Sequence, residues 1–274
     1  NVTQATSTSI IVDNLTLGTA TNGIGGSVVL ANTGNKINEL ALANVGDVGG
    51  TQYDLDIADS DGGLILTDTL TSAGGLRLVT ETGAEASGIL VLGTNDITAS
   101  GDVSLSGDTV TQVDGSTINA DGSAGAGTGG SIRIDGGGGI NNITLEGIVT
   151  TDNVSSTAIE IVNATNATLN VISATAGTVA LGEDTKELTG TVSQVVTTGT
   201  IDAAVLLGDL GILTVTDSNI DQVGPLITSG ALTLQEQGGA GTAGLLFVGD
   251  VTAGGTTVIE SSDGILELDT FNLD

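Results

Sequence analysis

The chain has 274 residues and carries 33 Asp and Glu against four Lys and Arg, a net charge of −29, with no His, Cys, Met or Trp. A surface this acidic excludes nucleic acid and anionic membrane as partners, since both are bound through clustered Lys and Arg. The missing residue types also remove disulfides, thiolate metal sites and most designs for a nucleophile with its base.

The remaining composition narrows the fold. A hydrophobic content of 39% argues against a disordered chain, and 44 glycines without an every-third spacing exclude collagen. Tyr53, Phe247 and Phe271 are the only aromatics, so the core must be aliphatic and thin, one side chain deep from each wall. One texture runs throughout, with Pro225 the sole proline and no linker, which predicts a single body over residues 9–274. No apolar run approaches a membrane span and none reads as a signal peptide. A start at Asn1 without any methionine leads us to expect a processed product or a segment, its targeting sequence removed.

In chain order, residues 1–8 (NVTQATST) hold no glycine and few large apolar side chains, and they predict an extended N-terminal arm. Residues 37–45 (INELALANV) are the best helix candidate and read equally well as a pair of short strands. Next comes the densest acidic cluster, DLDIADSDGG, with Asp54, Asp56, Asp59 and Asp61. Alternation puts Asp54 and Asp56 on one face of a strand, with Asp59 and Asp61 following in the turn. Ca²⁺ favours several such oxygens in a turn, so the cluster is the best cation candidate in a chain otherwise expected to take no cofactor. The spacing fits neither an EF-hand nor a calcium β-roll, and a solvated acidic loop is the plainer account.

From residue 62 the chain repeats itself. Gly62-Gly63 opens Leu64-Ile65-Leu66, Gly74-Gly75 opens Leu76-Arg77-Leu78, and Gly88 opens Ile89-Leu90-Val91-Leu92. Gly101, Gly115 and Gly130 open further short runs, and Asn142-Ile143-Thr144-Leu145 follows them. Most units hold a second β-prone piece, such as Thr69-Leu70-Thr71 and Asp96-Ile97-Thr98. The theme returns after Gly230, Gly244 and Gly264. Short alternating runs bounded by Gly, Asn and Asp read as strands and turns, and self-similarity at a short period reads as a solenoid. Coils of roughly 20 to 26 residues, stacked at about 4.8 Å, would make a rod on the order of 50 to 60 Å long. The pairs Asn22-Gly23, Asp61-Gly62, Asp114-Gly115, Asp121-Gly122, Asp135-Gly136 and Asp263-Gly264 are expected to supply positive φ at its corners. The Gly-rich run over 121–139 lacks the Lys-Ser/Thr end of a phosphate loop. Six N-x-Ser/Thr sequons begin at Asn1, Asn14, Asn142, Asn153, Asn163 and Asn166, and NATNATLN marks Asn163 and Asn166 as the glycan candidates.

Residues 25–83, GGSVVLANTGNKINELALANVGDVGGTQYDLDIADSDGGLILTDTLTSAGGLRLVTETG, resemble the β-strand repeats of filamentous-haemagglutinin-like proteins and related large bacterial exoproteins. Residues 216–235 have the same pattern of apolar strands and Gly or Asn turns. The resemblance implies a right-handed parallel β-helix on a cell surface or in a secreted fibre. It names no ligand. The family's secretion domain carries Asn-Pro motifs, and Pro225 is the only proline here, so the chain resembles the repetitive shaft without the export module.

The expected function is therefore an acidic extracellular β-solenoid forming a fibre or an adhesin shaft, with other copies of itself as partners. The apolar C-terminal stretch, including Ile265, Leu268, Phe271 and Leu273, and the arm residues Asn1, Val2, Thr3, Gln4 and Ala5 would meet in head-to-tail stacking by strand addition. Two alternatives remain: a module binding glycan or Ca²⁺ on one face, and a β-helix enzyme acting on polysaccharide through paired carboxylates. The enzyme lacks the basic and aromatic residues with which such proteins hold acidic sugars.

Overall fold

The computed structural model describes residues 1–32, 34–46, 49–60, 63–80, 88–91, 95–121, 127–137, 141–182 and 188–194, and beyond them the strands over 200–216, 223–228, 232–236, 245–246, 250–253, 257–261, 266–267 and 270–273. Among these residues the chain is all β, without a helix. Every strand pairing is parallel, and all but one pair of strands belong to a single 24-stranded sheet.

The chain visits three ladders in a fixed order and then returns to the first. The first ladder runs through Val2–Thr3, Val28–Leu30, Leu55–Asp59, Leu76–Thr80, Val103–Ser106, Ile132–Asp135 and Ile159–Val162. It continues through the end of Asn166–Leu181, the middle of Thr200–Thr216, and then Val223–Thr228, Asp250–Ala253 and Thr270–Leu273. The second ladder stacks the start of Ile11–Leu17 on the start of Lys36–Val45, then Leu64–Leu66, Gly88–Val91, Thr109–Gln112 and the start of Asn142–Thr150. The third stacks the end of Lys36–Val45 on Leu70–Ser72, Ile97–Ala99, Thr117–Asn119 and the end of Asn142–Thr150. Between Val28 and Val179, successive partners on the first ladder lie 20 residues apart at the least, Ile159 to Val179, and 29 at the most, Val103 to Ile132.

Residues 37–45 are thus strand rather than helix. The register explains the ambiguity: Leu40 pairs on the second ladder with Leu66, and Ala43 on the third with Leu70. The strand turns a corner in between, which breaks the period-2 pattern into something close to a helical one.

Alternation on each strand sends one set of side chains inward, and in-register pairing stacks that set into columns. Val28, Leu55, Leu76, Val103, Ile132, Ile159 and Val179 form one column, every member at most 2% exposed. Leu30, Ile57, Leu78, Leu105, Ile134 and Ile161 form the next. On the third ladder Leu70, Ile97, Ile118, Val149 and Ile172 do the same. Burying each such side chain is worth about 1.5 to 3 kcal/mol, so the aliphatic columns supply most of the stability. No strand buries its face without the rounds on either side.

Glycine has two duties at the corners. Gly115 sits at φ 89° in the Asp114-Gly115 turn, as expected. Gly23 and Gly136 do not have positive φ; beside Asp135 the positive φ falls on Gly137. Gly136 is needed for room instead, since a Cβ there would lie 2.8 Å from the Ala164 Cβ of the next round. Gly62, Gly122 and Gly264 lie outside the described residues.

Candidate functional site

Outward side chains alternate with inward ones along each ladder, and both arginines of the chain lie on the first. Its outward column reads Val29, Asp56, Arg77, Ser104, Arg133, Glu160. Arg77 Nη1 lies 2.8 Å from Asp56 Oδ1, and Arg133 Nη1 lies 2.8 Å from Glu160 Oε2. Ser104 stands between the two arginines. Like charges directly opposite on paired strands are destabilising, so each arginine has an acid on one side and a hydroxyl on the other.

One position before each strand, a second column carries main-chain contacts from round to round. The Ser27 N–H donates to Asn1 Oδ1 at 3.1 Å, the Gly75 N–H to Asp54 Oδ1 at 2.8 Å, and the Ser131 N–H to Asp102 Oδ1 at 2.8 Å. The Ser131 hydroxyl also donates to Asp102 Oδ1. Acid or amide therefore alternates with a small residue, Asn1 over Ser27, Asp54 over Gly75, Asp102 over Ser131. Together the two columns line an open groove of about 730 Å³ that includes Ser27, Asp54, Asp56, Arg77, Asp102 and Ser104.

The acidic cluster expected to hold Ca²⁺ is divided by the strand. Asp54 and Asp56 line the groove, each already engaged as above. Strand Leu55–Asp59 runs into the start of the expected turn, so Asp59 follows Leu55 and Ile57 inward. It is fully buried, and its Oδ1 accepts the Ile37 N–H at 2.8 Å. Asp61 lies outside the described residues. Among the described residues no group of three or more carboxylates is placed to hold a metal ion.

The two glycan candidates differ. Asn163 adopts φ 63° and its amide donates to Asp135 Oδ1 at 2.7 Å. Asn166 is exposed and in register with Asn142, another sequon, to whose Oδ1 it donates at 2.9 Å.

The expected arm lies on its own chain. Val2 and Thr3 pair with Val28 and Val29, and the Asn1 side chain caps Ser27. The Gln4 amide donates to Thr8 O, and Ala5 O accepts from the Thr8 hydroxyl and the Asn32 amide. At the other end Phe271 and Leu273 pair with Val251 and Ala253, while Ile265 and Leu268 lie outside the described residues.

Two features escaped the sequence reading. Asn35, fully buried, donates from Nδ2 to Leu30 O and Ala58 O and accepts the Ile10 N–H on Oδ1, tying three consecutive rounds together. Its only mark in the sequence is the Gly34-Asn35 pair just before a strand, which by itself resembles any other turn. The second is the outward column of the third ladder: Asn44, Thr71, Thr98, Asn119, Thr150 and Ser173, in register and uncharged. Its signal was the hydroxyl that follows one apolar residue after another. Comparison of the chain with protein-family models, with curated proteins and with solved structures finds no match.

Proposed function

We propose that the chain is a right-handed parallel β-helix serving as a non-enzymatic shaft segment of an extracellular fibre or surface adhesin, and that its rounds are continued end to end by further rounds of the same kind. The observation that carries this reading is the run of parallel register from Val2 to Leu273. Right-handedness follows from the general rule for parallel strands joined by crossovers. Twelve first-ladder strands at about 4.8 Å make a body roughly 50 Å long. The extracellular, adhesin-like setting rests on the resemblance of residues 25–83 to bacterial exoprotein repeats, together with the acidic surface.

The outermost first-ladder strand suggests how rounds are added. Val2 N–H bonds Ser27 O and Gln4 N–H bonds Val29 O, so the Thr3 N–H and C=O face the open edge. A parallel strand docking there would extend the ladder. Electron microscopy of the concentrated chain should show filaments one chain wide. Thr3→Pro, which removes the donor from the open edge while leaving the bonds to Ser27 and Val29, should abolish them. Filaments unaffected by Thr3→Pro would reject this edge as the contact, and a circular dichroism spectrum with more than about a fifth helix would reject the fold.

A second reading is a module binding glycan or Ca²⁺ on one face; the groove over Asp54, Asp56, Arg77 and Asp102 favours its glycan half, and calcium tests the other. A ligand that binds only the folded state raises its melting temperature. Calcium should then stabilise the chain and Asp54→Asn with Asp56→Asn should remove the effect; equal stabilisation by monovalent salt would reduce it to screening.

A further inference from the structure

We propose that Asn22 is a site of spontaneous deamidation to isoaspartate, and that the reaction releases the corner over residues 18–26 from the next round. The proposal goes beyond the shaft reading and does not depend on it.

Sequence and structure single out one pair. Of the 17 asparagines in the chain, only Asn22 precedes a glycine. Both Asn22 and Gly23 are exposed. The Asn22 side-chain amide makes one long hydrogen bond, from Nδ2 to Thr21 Oγ1 at 3.4 Å. Among the described residues the Gly23 N–H donates to no acceptor. The electrophile, Asn22 Cγ, and the nucleophile, Gly23 N, are therefore both free to meet. At every other asparagine the next residue carries a Cβ that crowds the approaching nitrogen. The Asp-Gly pairs are better protected. Beside Asp135 the Gly136 N–H is held by Val162 O at 3.0 Å. Asp114-Gly115 is exposed, but an ionised carboxylate resists nucleophilic attack far better than an amide.

The chemistry needs only water. Gly23 N attacks Asn22 Cγ and closes a succinimide ring, while its proton and the side-chain amino group leave as ammonia. Attack from within one chain carries a large effective concentration, so no catalyst is required beyond hydroxide. Water then opens either imide carbonyl. One opening gives aspartate; the other gives isoaspartate, in which the main chain runs through Cβ and Cγ. Both products add a negative charge, and isoaspartate also adds an atom to the backbone.

The corner has no room for that atom. Gly23 lacks positive φ and is required instead by the next round, since a Cβ there would lie 2.8 Å from both Asn44 Oδ1 and Gly46 N. The Thr19 N–H closes the turn on Asn22 O at 2.9 Å, and Asn44 Nδ2 holds Thr19 O at 2.8 Å. Beyond Gly23, the Ile24 N–H bonds Asn44 O at 2.8 Å and the Gly46 N–H bonds Ile24 O at 3.1 Å. Lengthening the chain inside this frame breaks the turn or its docking, and the freed groups turn to water. The packing that demands glycine at 23 is also what leaves Asn22 reactive.

Prolonged incubation of the full chain in mildly alkaline buffer, read by tandem mass spectrometry and enzymatic methylation of isoaspartyl groups, tests the site. Asn22 should convert before any other asparagine and before Asp114 isomerises, at a rate within about tenfold of that in the peptide Thr21–Gly25. Isoaspartate should be the larger product. Asn22→Gln should remove the signal and keep the wild-type circular dichroism. Hydrogen exchange reads the consequence: protection of the Ile24 and Gly46 N–H groups should be lost in the isoaspartyl chain. It should be kept in Asn22→Asp, which carries the charge without the added atom. Conversion that begins at another residue, or that the fold slows by more than about tenfold, overturns the site. Exchange that rises equally in Asn22→Asp, or stays unchanged in the isoaspartyl chain, overturns the release of the corner.

Discussion

The outer side of the first ladder and that of the third solve one electrostatic problem in two ways. In a parallel in-register ladder every outward position recurs in the next round about 4.8 Å away, so a run of like charges in one column is costly. The first ladder alternates signs and spaces them, Asp56 against Arg77, then Ser104, then Arg133 against Glu160. The third uses neutral hydroxyls and amides throughout, from Asn44 to Ser173. With only four basic residues in 274, the first solution cannot be repeated often. Other acids are stabilised by accepting a main-chain N–H, as Asp54, Asp96, Asp102 and Asp152 do.

The two sides share one core, and the largest expected effect tests that. Leu78→Ala beneath the charged side and Leu70→Ala beneath the neutral side each empty a fully buried site, at a cost of about 2 to 5 kcal/mol. Urea unfolding should give similar losses; a much smaller loss at Leu70 would mean that the third ladder packs loosely.

Asn35→Leu comes next. It leaves the Ile10 N–H, Leu30 O and Ala58 O without their partner, at about 1 to 3 kcal/mol for each group that stays dry. A thermal melt within error of wild type would show that water replaces the amide.

A smaller effect separates the sides directly. Ser104→Lys places three cations in consecutive rounds and should destabilise by about 0.2 to 1 kcal/mol, an effect erased by salt, whereas Ser104→Glu should stabilise by a similar amount. The same pair at Thr98, whose column neighbours are Thr71 and Asn119, should show no such opposition of sign. Equal behaviour at both positions would refute the account of the columns. The smallest change expected is Arg77→Ala, because its ion pair with Asp56 is half exposed and worth under about 1 kcal/mol.

The strands were legible because their chemistry is local. Leu64-Ile65-Leu66 and Leu76-Arg77-Leu78 alternate between turn residues, and both are strands. Which ladder each joins was not legible. The two units twelve residues apart look like one repeat, yet Leu64 pairs with Ile89 on the second ladder and Leu76 with Val103 on the first. Every side of the molecule uses the same turns and the same aliphatic residues, so nothing in a single unit says which side it occupies; pairing across a whole round decides. Asp54 and Asp56 were placed on one face by alternation alone, and that face is the outer one. Asp59 was read into a turn because nothing nearby showed that its strand extends one residue further to meet the Ile37 N–H of the preceding round. Asn35 was missed for the same reason, since two of its partners, Ile10 and Ala58, are distant in sequence.

The ladder bonds, such as Leu55 N–H to Gly75 O and Leu76 N–H to Asp102 O, all join one round to the next, parallel to the direction in which rounds accumulate. Tension applied between the ends of the stack therefore meets these bonds a round at a time, as a zipper is opened, instead of shearing many together. Each failure frees the residues between successive partners, 20 from Ile159 to Val179 and 29 from Val103 to Ile132. At about 3.3 to 3.6 Å per residue, that is roughly 65 to 100 Å of slack per round. Extension under load along that axis should therefore come in steps of this size, one for each round released.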